Sequence, residues 1–191
     1  MKTLNVATLF VLALPLGLGA QASGAPAGNP ITTVFRNRIL GQQRILAQAF
    51  DSIPESRFSY KPTPKQLTIG YIAQHLAEDN YFFCNNFGEM KGKPAAEETS
   101  TPDSVKATWP KEKLVANLKA SFAFCESALA QLDDAKLGDE ITMTYGGNSR
   151  KAPRASMTLG HVADMSDHYS QLANYMRLNG LTPPTALPRK P

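Results

Sequence analysis

What this sequence lacks narrows it first. It has 20 Lys and Arg against 16 Asp and Glu, a formal charge of +4, and the cations are scattered. With no basic cluster and no interleaved aromatics, nucleic acid is excluded as a partner. No apolar run reaches the roughly 20 residues that a membrane-spanning helix needs; the run at 6–18 is shorter and holds Pro15. There is no internal repeat or low-complexity block, and Ser166 and Ser170 form no nucleophile motif. Cysteine and histidine are scarce, with two and three in 191 residues.

What is present starts with an amino-terminal pattern. Lys2 precedes the apolar run, and Ala20-Gln21-Ala22 forms a small-x-small site, so residues 1–22 are expected to be a signal peptide. The protein is then expected to be exported, periplasmic or secreted, with no membrane attachment after cleavage. Losing Lys2 lowers the charge to +3, a mildly basic surface. Residues 23–30 read as a flexible leader, 31–182 as one domain, and 183–191 as a Pro-rich tail. Apolar residues make up 42% of the chain, enough for one sizeable core.

The spacing of apolar residues predicts four helices. The first carries Val34, Phe35, Ile39, Leu46 and Phe50, and ends before Pro54. The second is capped by Thr68, carries Ile69, Ile72, Leu76 and Phe83, and stops at Gly88. Residues 89–109 are polar, hold Pro94 and Pro102, and read as a long loop. The third carries Leu114, Leu118, Phe122, Cys125, Leu129 and Leu132. A short alternating run at 141–145 and Gly146-Gly147 suggest a small hairpin or ordered loop. The fourth is capped by Thr158 and ends at Gly180, before Pro183 and Pro184. The fold class is therefore all-α, a four-helix bundle with a long connection between helices two and three.

Cys84 lies fifteen residues beyond Ile69, and Cys125 fourteen beyond Lys111. They sit level only if helices two and three run parallel, so a Cys84–Cys125 disulfide and that parallel pair stand or fall together. The alternative is two buried thiols acting as small apolar side chains.

All three histidines fall in predicted helices. His75 faces the core beside Ile72 and Leu76. Asp164 and His168, four apart, leave one helix face a turn apart, as two ligands of one ion must, and His161 is three residues before Asp164. Two imidazoles and a carboxylate suit Zn, Ni or Fe and leave positions open for water or substrate, from which hydrolysis or group transfer could follow. The competing reading is polar core, with Asp164 paired to His168 or Arg177. Near His75, Asp79 and Glu78 either orient the imidazole or form a solvated edge.

The segments FSYKPTPKQLTIGYIAQHLAEDNYFFC, KEKLVANLKASFAFCESALAQLDD and HYSQLANYMRLNGLTPP resemble, in this order, those of the DinB-like (DinB/YfiT-like) family. The resemblance spans about Phe35 to Pro184. It implies a four-helix metalloenzyme with three histidine ligands to a divalent metal. His75 matches the helix-two ligand and His168 the last ligand, with Gln171 following and expected, like Asp79, behind the ligands, where it would orient them. The middle ligand falls on Asp164, where this sequence departs from histidine. His161 is the substitute ligand, although seven residues, roughly 10 Å, separate it from His168. The resemblance also implies metal-dependent hydrolysis or thiol transfer, with the small-molecule substrate unspecified. The alternative is a non-catalytic binding module with a degenerate metal site. Small bundles commonly dimerise, so a homodimer stays open.

Overall fold

The computed structural model describes residues 28–145 and 147–188. The expected signal peptide, most of the leader and the last three tail residues lie outside them. Four long helices are present: α1 (Pro30–Ser52), α2 (Ile69–Cys84), α5 (Lys111–Leu129) and α6 (Ala155–Leu178). The long connection holds two short helices, α3 (Ala96–Ser100) and α4 (Asp103–Lys106), where only loop was expected. Strands β1 (Glu140–Tyr145) and β2 (Asn148–Pro153) form the expected hairpin, with Gly147 at φ +80° in its turn. No helix among the described residues is long and apolar enough to cross a membrane.

Helix ends follow local chemistry. Thr68 Oγ1 accepts from Tyr71 N at 3.0 Å and caps α2. Thr158 caps nothing: α6 starts at Ala155, and the Thr158 hydroxyl donates to Ala155 O within the first turn. At the other end Gly180 adopts φ +71°. Its N–H reaches Arg177 O while Leu181 N–H reaches Met176 O, a Schellman closure that satisfies two terminal carbonyls.

The core is built from Ile39, Leu46 and Phe50 of α1, Ile72 and Leu76 of α2, Leu114, Leu118 and Leu129 of α5, and Met165, Leu172 and Met176 of α6. Val34, placed on the first stripe by spacing, is 61% exposed. The α1 stripe begins one turn later, at Ile39. The tail does not hang free: Tyr169 Oη and Thr185 Oγ1 are 2.8 Å apart, which holds a 3-10 turn (Pro184–Ala186) on the bundle.

Two registers position everything that follows. Between α2 and α5, Asn80 meets Ser121, Cys84 bonds to Cys125, and Met90 N, just past α2, meets Gln131. Each pair is 41 residues apart in sequence. A constant offset means that the helices run parallel, which the crossover through α3 and α4 makes possible. Between α2 and α6, His75 meets His168, Asp79 meets Asp164, and Phe83 meets Gly160. Each step of four along α2 is matched by a step of four backward along α6, so these helices are antiparallel.

Candidate metal centre

Steps of four keep side chains on one helix face, so the α2/α6 register stacks its pairs as rungs. On one rung the His75 and His168 rings meet edge to face, centroids 5.0 Å apart. On the next, Asp79 meets Asp164. Along each helix the rungs are joined: His75 Nε2 is 3.1 Å from Asp79 Oδ2, and His168 Nε2 is 3.5 Å from Asp164 Oδ1. One candidate ligand atom from each of the four residues lies within 4.8 Å of every other.

The electrostatics reflect two imidazoles and two carboxyls withdrawn from water. Burial, then the adjacent Asp164 charge, raises the Asp79 carboxyl to about 7. In its protonated form Asp79 donates to Asp164. Burial, then the neighbouring His168, lowers His75. His168 moves the other way: burial opposes its charge, but the hydrogen bond and charge of Asp164 outweigh that and raise it. With Asp79 pushed toward its acid form and His75 toward neutral imidazole, their 3.1 Å contact is a hydrogen bond rather than an ion pair.

These residues fit a divalent ion. Asp164 Oδ2 and His168 Nδ1 are buried, and neither has a hydrogen-bond partner. Buried polar atoms are rarely left so, and both belong to groups that donate electron pairs to metals. Their rung partners, His75 and Asp79, offer two more donors, giving a set of two nitrogens and two oxygens. That set is harder than a three-histidine site and suits Zn or Fe better than softer ions.

The structure redistributes the sequence candidates. His75, Asp164 and His168 come together. Asp79, expected behind the ligands, places a carboxylate oxygen within the same 4.8 Å group. Gln171 does not reach the site: its Nε2 donates to Asp167 Oδ2 at 3.0 Å on the exposed face. His161 is also elsewhere, because three residues is 300° of helical turn rather than a full one and leaves it rotated away from Asp164. It is completely buried. Its Nε2 donates to Asn80 Oδ1 at 2.7 Å, and its Nδ1 lies 3.9 Å from Cys84 Sγ. Phe83 stacks on its ring at 5.3 Å between centroids, and Phe87 lies at 5.7 Å. Asn80 in turn donates to Ser121 Oγ, which donates to Leu118 O. This buried chain ties α6 to α2 and α5 beside the Cys84–Cys125 disulfide, and burial lowers the His161 pKa to about 4.

Near the centre, Lys106 of α4 is buried and pairs with Glu78 and Asp103, pinning α4 against α2 one turn from His75. The Tyr71 ring, one turn before His75, is 5.9 Å from it and borders a cavity of about 460 Å³ at that end of the seam. A second cavity, of about 530 Å³, lies at the opposite end, around Phe83 and Gly160.

The profile of the DinB superfamily matches residues 39–172. No curated protein matches the chain. Among solved structures, a DinB-like protein from Bacillus cereus ATCC 10987 superposes with a TM-score of 0.60 at 18% identity, covering 78% of this chain and 93% of its own. A DinB-like protein from Bacillus subtilis gives 0.60 at 19% identity, covering 82% and 96%. A mycothiol-dependent maleylpyruvate isomerase gives 0.59 at 15% identity, covering 74% of this chain and 60% of the isomerase.

Proposed function

The chain belongs to the DinB superfamily, and on that premise we propose that it is an exported protein holding one divalent metal ion between α2 and α6, for hydrolysis or thiol/group transfer. The observation that carries the reading is the pair of rungs. His75, Asp79, Asp164 and His168 converge from two antiparallel helices, and the two orphaned atoms, Asp164 Oδ2 and His168 Nδ1, face no other partner. Export is supported by the amino-terminal pattern and by the Cys84–Cys125 disulfide, which an oxidising compartment would maintain.

His75 and His168 would bind through their neutral imidazoles, and Asp164 through its carboxylate. With its carboxyl raised to about 7, Asp79 is partly protonated near neutral pH and would give up that proton on ligating, which links metal uptake to proton release. A bound ion would supply Lewis-acid activation of a nucleophile or leaving group. Thiol transfer is drawn from the mycothiol-dependent isomerase of the same fold, and hydrolysis from the open positions such a ligand set leaves.

A second reading, a non-catalytic bundle with a degenerate site, is favoured by one observation: each histidine already contacts the aspartate on its own helix. Metal content separates the two. Purified protein is equilibrated with Zn²⁺, Ni²⁺, Fe²⁺ and Mn²⁺, then desalted, beside His75→Ala/His168→Ala and Asp79→Asn variants. The metal-centre reading expects about one ion per parent chain, none in the double variant, and weaker retention in Asp79→Asn, with a 10- to 100-fold loss of affinity. Metal-free parent protein would leave the four residues as polar core.

A further inference from the structure

The seam that carries the ligands does not end at the aspartates. One rung beyond Asp79 and Asp164, Phe83 meets Gly160, and there the α2/α6 surface opens into the cavity of about 530 Å³. This volume falls within the range of small-molecule sites. The β1–β2 hairpin overhangs it. Phe82 and Phe83 of α2 and Met143 of β1 give an apolar lining, while Ser156 of α6 and Arg150 of β2 are polar. Cavity and ligand set are one helical turn apart, about 6 Å along α2.

Two features show that this space is shaped by particular residues. A Cβ on residue 160 would lie 2.9 Å from Phe83 Cε1, so Gly160 is what lets an edge of the Phe83 ring approach α6 and form the cavity wall. Arg150 is the cation of the lining, and it forms no ion pair among the described residues. Its strand neighbour differs: Lys151 is already neutralised by Glu140. A guanidinium beside an aromatic, apolar wall complements a molecule with an apolar body and one anionic end.

We propose that this cavity binds a small amphiphilic acid, with its aromatic or short aliphatic body against Phe82, Phe83 and Met143 and its carboxylate at Arg150. As the substrate site of the metal centre the cavity rests on the metal reading, because the ligand's far end would extend along the seam toward Asp79 and Asp164. Binding itself does not require the metal.

The test uses 3-phenylpropanoate and its neutral counterpart 3-phenylpropan-1-ol as probes, titrated into metal-free protein and followed by amide NMR shifts. The acid is expected to shift the amides of Phe83, Arg150, Ser156 and Gly160 and to bind about fivefold more tightly than the alcohol, the scale of a partly exposed charge pair. Arg150→Gln, on an exposed strand, should remove that difference. Gly160→Ala should weaken both probes by displacing Phe83. The His75→Ala/His168→Ala variant should still bind the acid, so failure of the metal reading appears in metal content and failure of the cavity in the titration. Shifts confined to other regions, equal affinity for acid and alcohol, or an unchanged preference in Arg150→Gln would each overturn the proposal.

Discussion

His161 gives a prediction that isolates one buried group. The imidazole is fully buried between Phe83 and Phe87, donates to Asn80, and has its pKa lowered by burial from 6.5 to about 4. Its folded pKa lies below its unfolded one, so the unfolded chain takes up the proton first as pH falls. His161 therefore contributes stability that is whole above pH 6.5 and is lost between 6.5 and 4. At about 1.4 kcal/mol per unit, the full shift is worth about 3 kcal/mol, of which about 2 kcal/mol is lost between pH 7 and 4.5. Asp79 runs the opposite way: its folded pKa is raised to about 7, so lowering the pH relieves a penalty of comparable size, about 3 kcal/mol, and masks the loss. Parent protein alone is thus a poor readout, and the difference from His161→Gln, which keeps Asp79, is the useful quantity. The assay is urea unfolding of both chains at pH 7 and 4.5, with chelator present. The parent should lose about 2 kcal/mol more than the variant over that interval. Equal losses would mean that His161 is charged or hydrated in the folded state, and the account of its burial would fail.

The Cys84–Cys125 bond closes a 41-residue separation between two parallel helices. The chain-entropy relation makes it worth about 4 kcal/mol, so Cys84→Ala/Cys125→Ala should fold but melt well below the parent, and reductant should lower only the parent. An unchanged melting temperature would show that the helix pair needs no tether. Gly70→Ala tests a backbone approach: its Cβ would collide with the Ala107 carbonyl oxygen, where no side chain can yield. A loss of about 1–3 kcal/mol is expected in thermal unfolding, and a neutral substitution would mean that the segment after α4 moves aside freely.

The bundle was readable because its signals are local. Apolar spacing marks α2, α5 and α6, Thr68 caps where expected, and Gly180 closes α6 as its position suggests. The differences arise where local signals meet tertiary packing. Val34 fits a stripe that α1 does not bury at that end, and Thr158 resembles a cap although α6 extends to Ala155. Residues 89–109 are rich in proline and charge, yet Lys106 is buried against Glu78 and Asp103, and α4 forms around it. That stabilisation is tertiary, and no window of sequence contains it.

The centre was harder to read because its pattern is divided between two helices. Within α6 the sequence shows Asp164 and His168 four apart; within α2 it shows His75 and Asp79 four apart, in reversed order. Either spacing alone is ambiguous, and His161, three residues from Asp164, extends the α6 set by spacing alone. Antiparallel pairing removes the ambiguity, because reversing one helix brings His75 to His168 and Asp79 to Asp164. The same pairing excludes His161, which meets Asn80 two positions out of step with the rungs and rotates into the buried chain beside the disulfide. Thus the mirrored order of histidine and aspartate was the available signal that Asp79 joins the cluster, and it becomes informative only when the two helices are known to be antiparallel partners. It also bears on the departure at position 164. A carboxylate there meets a second carboxyl at Asp79, whose pKa, raised to about 7 by burial and by the Asp164 charge, lets the half-buried pair share a proton.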